Sequence, residues 1–245
     1  MGNTFQHNVH TAGDKNMHMP DGYLTLTIAL PAFIVTVLFW VVALKKIKLT
    51  EQQVPMMGLL TALFFAAMFM NFPLIGPTTA HLLGGAAIGL ILGPFAGLIS
   101  MSIILVLQAL LFADGGLVVL GANVLNIGVI GVFVPCLVFL GLYKLTKPKT
   151  TRILFPIIFV SAFLGDVGAA IAAGAQVGLS NILPLYGLNV AVPVMALNHS
   201  VIGVAEGFVT VVLIAALLRL RPDVLAKSPM LGRFSMFQNK NEVEE

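Results

Sequence analysis

Apolar residues along this chain come in long runs, not in the alternation of a half-buried strand. Residues 24–44 are dominated by Leu, Ile, Val, Ala and Phe and stop at Lys45, Lys46 and Lys48. At about 1.5 Å per residue such a helix covers roughly 30 Å, the thickness of a bilayer's hydrocarbon core. Further runs occupy residues 55–72, 80–112, 117–143, 153–177 and 190–218. The breaks between them carry turn formers or charge. They are the Pro73-Leu-Ile-Gly-Pro-Thr-Thr79 stretch, Ala113-Asp-Gly-Gly116, a basic group from Lys144 to Arg152, and a loop with Asn181, Pro184, Tyr186 and Asn189. The first 23 residues are polar, with no apolar core of signal-peptide type, so they read as a lead-in and not as a cleavable leader.

Residues 80–112 decide the span count. As one helix they would extend about 50 Å, too long without steep tilt. Two spans hinged near Gly93-Pro94 make seven in all. The basic groups at 45–48, 144–152 and 219–240 then share one side, and of the 13 Lys and Arg only Lys15 lies opposite. A single span would make six and put 144–152 on the other side. The excess of Lys and Arg in cytoplasmic loops therefore favours seven spans, the N-terminus outside and the C-terminus in the cytoplasm. The first half of the hinged pair is short, which suits a segment buried behind other helices. The expectation is an all-α polytopic bundle of about seven transmembrane helices, six if 80–112 is one span. It divides into a polar extension at 1–16, a membrane-embedded body at 17–218 and a cytoplasmic tail at 219–245.

Composition agrees. Hydrophobic residues make up 58% and charged residues 9%, against about 25% charged in soluble domains. That excludes a soluble enzyme, a disordered chain and a nucleic-acid-binding domain. The net charge of +3 reflects the placement of Lys and Arg about a membrane, and nucleic acid is not an expected partner. One cysteine, Cys136, allows no internal disulfide and no cysteine metal cluster. Gly85, Gly89, Gly93 and Gly97 recur every four residues and make a flat helical stripe. The plain reading is close packing inside the chain; the sharper one is a docking face for a partner subunit.

Few residues inside the apolar runs can ionise. They are His81 at the outer edge, Asp166, His199 and Glu206, with Asp114 in an outer turn. Charge is costly in lipid, so each is a candidate for function as well as for a hydrogen bond between helices. Asp166 and His199 fall at similar depth and could pair, and Glu206 follows on the His199 face. No phosphate-binding loop, H-E-x-x-H pair, credible Ser/His/Asp set or Cys pair occurs, so neither ATP hydrolysis nor other enzyme chemistry is expected of this chain.

Met17-His-Met-Pro-Asp-Gly-Tyr23, just before the first span, carries the most chemistry. Read plainly it is a lead-in closed by a Pro-Asp-Gly turn. Were Met17 the first residue, its α-amine, the His18 amide and the His18 Nδ1 would form fused five- and six-membered chelate rings about one ion. A His81 imidazole would complete four nitrogens in a plane. Such a plane suits Ni(II) or Cu(II), whereas Zn(II) prefers a tetrahedron. At the ordinary His pKa, affinity would fall below about pH 6.5.

The same segment resembles the N-terminal signature M-H-[I/M]-P-D-G-[YF] of the CbiM/NikM family. Those proteins are the substrate-capture (S) components of energy-coupling-factor transporters for cobalt and nickel, a branch of the ABC transporters. Ala80-His-Leu-Leu-Gly-Gly85 with Leu92-Gly-Pro-Phe-Ala-Gly97 is similar to the family's second block. Gln108-Ala-Leu-Leu-Phe-Ala-Asp-Gly-Gly-Leu117 with Leu120-Gly-Ala-Asn-Val-Leu-Asn126 is similar to its third. Asn198-His-Ser-Val-Ile-Gly-Val-Ala-Glu-Gly207 is similar to its fourth. The blocks run in order from about 17 to 218. The resemblance implies an S-component-like bundle in the cytoplasmic membrane of a prokaryote. It implies a metal site of Met17, His18 and His81; depth in the spans, not the resemblance, puts Asp166, His199 and Glu206 as candidates for a layer behind it. The transported substrate would be Ni(II) or Co(II). The partners implied are a transmembrane coupling (T) subunit, cytoplasmic ATPase subunits and a small accessory membrane subunit.

One departure is plain. Sixteen residues precede Met17, and a blocked amine would break the chelate. Either the working start is Met17, or the extension is trimmed, or binding differs; the expectation is a start at Met17, with His7 and His10 read as a solvated tail sooner than as spare donors. The sequence leaves nickel against cobalt open; the first-row affinity order and planar geometry put nickel first. The alternative class is a stand-alone secondary permease or channel, against which the scarcity of intramembrane carboxylates weighs.

Overall fold

The computed structural model describes residues 18–51, 53–73 and 79–233. Helix α1, Leu26–Lys46, turns Ala29, Ala32, Thr36 and Ala43 inward and leaves Leu26, Leu30, Ile34 and Leu38 exposed. That is the inverse of a soluble helix: small residues face protein and large apolar ones face outward, as lipid requires. The Thr36 hydroxyl donates to the Gly121 carbonyl (2.7 Å), and Trp40 Nε1 donates to Ser102 Oγ (2.7 Å). Both bonds satisfy polar groups where no water can.

Helix α2, Gln53–Met68, is followed by a two-stranded antiparallel ribbon, β1 (Asn71–Pro73) with β2 (Thr79–His81). This ribbon is a small exception to the expected all-α architecture. Pro73 disfavours helix at the end of β1, and extended pairing of 71–73 with 79–81 satisfies the backbone instead.

The 80–112 stretch is two helices, as charge parity favours. Helix α3 (Gly85–Leu92) ends at Gly93, whose φ of +87° suits glycine, and Pro94 opens helix α4 (Pro94–Phe112) at its first turn. At about 12 Å, α3 cannot cross a bilayer, and all eight of its residues are buried. It is a half-helix enclosed by protein, where non-helical backbone at membrane depth is tolerated. Next come α5 (Leu120–Asn123), a π-helical stretch (Val124–Ile130) and α6 (Gly131–Thr146), which form one continuous span. Helices α7 (Thr151–Ser180) and α8 (Leu188–Leu220) pack along each other, and α9 (Pro222–Ala226) follows. Among the described residues five spans are long and apolar enough to cross a membrane, α2 is shorter and α3 is a half span. This is a multi-pass membrane protein, and seven is an approximate count.

The glycine stripe is not a docking face. A Cβ on Gly85 would meet the Gly131 carbonyl oxygen at 2.7 Å, one on Gly89 would meet Val132 Cγ1 at 2.9 Å, and one on Gly97 the same methyl at 2.8 Å. The stripe lets α3 and α4 close on α6, and no partner subunit could reach it.

Candidate metal centre

Two segments far apart in sequence meet at the end of the bundle where α1 begins. Residues 18–23 lie along the loop that links α4 to α5. The Gly116 N–H (2.9 Å) and Asn123 Nδ2 (3.1 Å) both donate to the Met19 carbonyl. The Asp21 carboxylate accepts from the N–H groups of Leu117 (3.1 Å), Val118 (2.8 Å) and Val119 (3.3 Å). Free N–H groups and the helix dipole favour a carboxylate there. A Cβ on Gly115 would lie 3.0 Å from His18 Cβ, and one on Gly116 would run into Asp21. Asp114-Gly-Gly116 is thus a flat seat on which the N-terminal segment rests.

The seat holds His18 almost fully buried, 5% exposed. Its backbone N–H donates to Asp114 Oδ1 (3.3 Å), and its Nε2 lies 2.9 Å from Gln108 Oε1. Its Nδ1 is buried with no hydrogen-bond partner among the described residues. Strand β2 delivers His81, 3% exposed, with ring centroids 4.9 Å apart and planes at 87° to His18. His81 Nδ1 stands 3.2 Å from the Leu82 carbonyl, which only an N–H can satisfy, so the lone pair is on Nε2.

Both rings are neutral bases at pH 7. Burial pushes His18 down to about 4, partly opposed by the Gln108 contact. Burial first, then repulsion from His18, pushes His81 down to about 3. Neutral imidazole is the metal-binding form. The sequence expectation of proton competition near pH 6.5 therefore shifts: these rings compete with protons only in far stronger acid.

Behind the two rings stand the intramembrane ionisable groups. His199 Nδ1 lies 3.3 Å from both Asp166 carboxylate oxygens, the pairing expected from depth. Glu206 accepts from the N–H groups of Leu83 (3.1 Å) and Gly84 (2.8 Å). It thereby pins the turn that follows His81 and caps the start of α3. Across the bundle, Asn126 and Gln176 exchange two hydrogen bonds (2.9 and 2.8 Å), tying the π-helical stretch to α7.

Met17, His7 and His10 lie outside the described residues. Among those described, no three His, Cys, Asp or Glu side chains gather as a ligand set. An ion held between His18 and His81 must therefore draw further donors from backbone or from the segment before His18. Sequence reasoning gave no role to Gln108, Asn123 or Asp21. Their signal was their place in the motif blocks, and polar residues bordering Asp-Gly-Gly carry no chemistry until the loop is folded against residue 18.

Comparison with known proteins gives the chain a family. The model of the family described as "Cobalt uptake substrate-specific transmembrane region" matches residues 18–224. The chain belongs to this family. The fused nickel transport protein NikMN of Rhodobacter capsulatus is 37% identical over 224 residues, covering 86% of this chain and 64% of that protein. The cobalt transport protein CbiM of Thermosipho melanesiensis is 31% identical over 209 residues, covering 81% of this chain and 85% of that one. This chain thus spans less than two thirds of the Rhodobacter relative. A crystal structure of a truncated transition metal transporter superposes with a TM-score of 0.75 at 34% identity, covering 83% of this chain and 99% of that one. The relatives of this chain thus include proteins named for nickel and for cobalt.

Proposed function

We propose that this chain is the substrate-capture component of an energy-coupling-factor importer and that it binds Ni(II), with Co(II) as the second candidate. The observation that carries this reading is the pair of buried imidazoles with ring centroids 4.9 Å apart, His18 with Nδ1 lacking a partner among the described residues and His81 with its lone pair on Nε2. The remaining donors are the Met17 amine and the His18 backbone nitrogen. Four nitrogens in a plane favour Ni(II) over Co(II) in the first-row affinity order. Capture takes place outside, at the end of the bundle opposite the Lys and Arg clusters. Release inside is driven by a T subunit and cytoplasmic ATPases. This chain is a transport subunit without enzyme chemistry of its own.

The test is Ni(II) titration of two purified forms. Protein beginning at Met17, with a free amine, binds tightly and gives a yellow, diamagnetic, square-planar spectrum. Protein carrying residues 1–16, in which the Met17 nitrogen is an amide, binds more weakly and without that spectrum. Equal affinity and the same spectrum in both would remove the amine from the site. His18 and His81 would then need other donors, with His7 and His10 the candidates.

A further inference from the structure

We infer that Gln108 is a positioning residue for metal capture: its side-chain oxygen fixes the His18 proton on Nε2 and so leaves Nδ1 as the donor that faces the ion. This rests on His18 being a ligand and adds the group that makes it one.

A neutral imidazole carries one proton on either of two nitrogens, and the partner of one nitrogen decides the other. His18 Nε2 stands 2.9 Å from Gln108 Oε1. An amide oxygen only accepts, so it selects the tautomer with hydrogen on Nε2. With the proton moved to Nδ1, that N–H would have no acceptor among the described residues, and Nε2 would confront the oxygen lone pair to lone pair. Both changes cost free energy at a site this deeply buried. The chelate needs the same tautomer: only Nδ1 can close a six-membered ring with the His18 backbone nitrogen.

The cost of keeping Gln108 points the same way. The residue is fully buried within α4, and its Nε2 has no hydrogen-bond partner among the described residues. A Leu or Met would fill this helix position without burying that unsatisfied donor. His81 uses the same device with backbone in place of a side chain: the Leu82 carbonyl holds the proton on Nδ1 and frees Nε2. The two rings, with centroids 4.9 Å apart, are thus set in opposite tautomers, His18 with a bare Nδ1 and His81 with a bare Nε2. A buried orienting partner behind a metal-binding histidine also fixes ring rotation and raises donor strength.

The test compares Gln108→Met, which keeps size and loses the acceptor, with Gln108→Glu, which keeps an acceptor oxygen. ¹⁵N-histidine-labelled protein beginning at Met17, in bilayers, is read by solid-state NMR without metal, with His18→Ala to assign the His18 signals. A bare ring nitrogen resonates far downfield of a protonated one. The wild type and Gln108→Glu are expected to show His18 with a bare Nδ1, and Gln108→Met a mixture of both tautomers. Ni(II) affinity is expected to fall 10–100-fold in Gln108→Met and to be held by Gln108→Glu. An unchanged His18 tautomer in folded Gln108→Met overturns the proposal, even where affinity falls, because that would be packing alone. Wild-type Ni(II) affinity in His18→Ala overturns the metal-site reading itself, whatever the tautomer shows.

Discussion

His18 and His81 are buried bases, and burial sets the pH at which they take up protons. In the folded protein they sit near 4 and 3, whereas in the unfolded chain they return to about 6.5. Above 6.5 neither state is protonated and the full stability is present. As pH falls below 6.5 the unfolded chain gains protons that the folded protein refuses, and stability is lost progressively down to about 4 for His18. The loss from His18 alone is at most about 3 kcal/mol. The melting temperature of metal-free protein in detergent should drop between pH 7 and 4.5, and the drop should be smaller in a His18→Ala/His81→Ala double variant. Equal pH slopes in both proteins would place the acid sensitivity elsewhere. Ni(II) binding should follow a different profile. Its fall between pH 8 and 6 belongs to the Met17 amine, whose ordinary pKa is about 7.7–8.0. His81→Ala should remove most Ni(II) affinity by deleting one of four donors, whereas His199→Ala, one layer behind, should cost 10–100-fold or less. Isothermal titration of both variants separates the two roles. The sequence pointed to His81 because His is rare in apolar runs, and to His18 because it follows Met17 in a segment able to chelate. It could not supply their protonation, which depends on burial that only the folded loop creates.

At the scale of elements, the half-helix α3 explains several residues at once. Its start emerges from non-helical backbone at Leu83 and Gly84, two N–H groups with no partner in lipid, and the Glu206 side chain of α8 closes both. Glu206→Ala should leave two buried donors unsatisfied, at about 1–3 kcal/mol each, and free the turn that carries His81. Thermal stability and Ni(II) affinity should fall together. Glu206→Gln, which keeps one acceptor oxygen, should recover part of both. Full affinity in a folded Glu206→Ala protein would mean that the β1–β2 ribbon alone positions His81. The hinge was legible because Gly93-Pro94 can do little else and because charge parity required a turn there. The donors to Glu206 were not legible, since nothing in a helical run names a backbone N–H more than a hundred residues away. The glycine period predicted close packing correctly. Only the structure says that α6 is what packs on it, through Val132.

For the whole molecule, the end of the bundle away from His81 is closed by the chain itself. Ser228 Oγ donates to the Leu90 carbonyl of α3 (2.7 Å), Gln53 Nε2 donates to the Lys227 carbonyl (3.1 Å), and Leu225, Met230 and Leu231 are buried beneath the half-helix. An ion held by two buried histidines at the far end has the packed α3 and this segment below it. Leaving on that side requires contacts to break that the folded chain holds on its own. This favours a subunit that binds its substrate and waits for work done by others over a permease that cycles alone. Single-cysteine labelling in a Cys136→Ser background fixes the sides: position 148, beside Lys147 and Lys149, should react only from the cytoplasm, and reaction from outside would mean six spans and a reversed half. With orientation known, purified protein in liposomes should bind Ni(II) at its outer face and accumulate almost none. Adding a T subunit with its ATPases should make uptake depend on ATP. Concentrative uptake by the chain alone, driven by an ion gradient, would sink the capture-subunit reading and establish the permease. ATP-dependent uptake that vanishes in His81→Ala would tie the histidine pair to transport and not merely to binding.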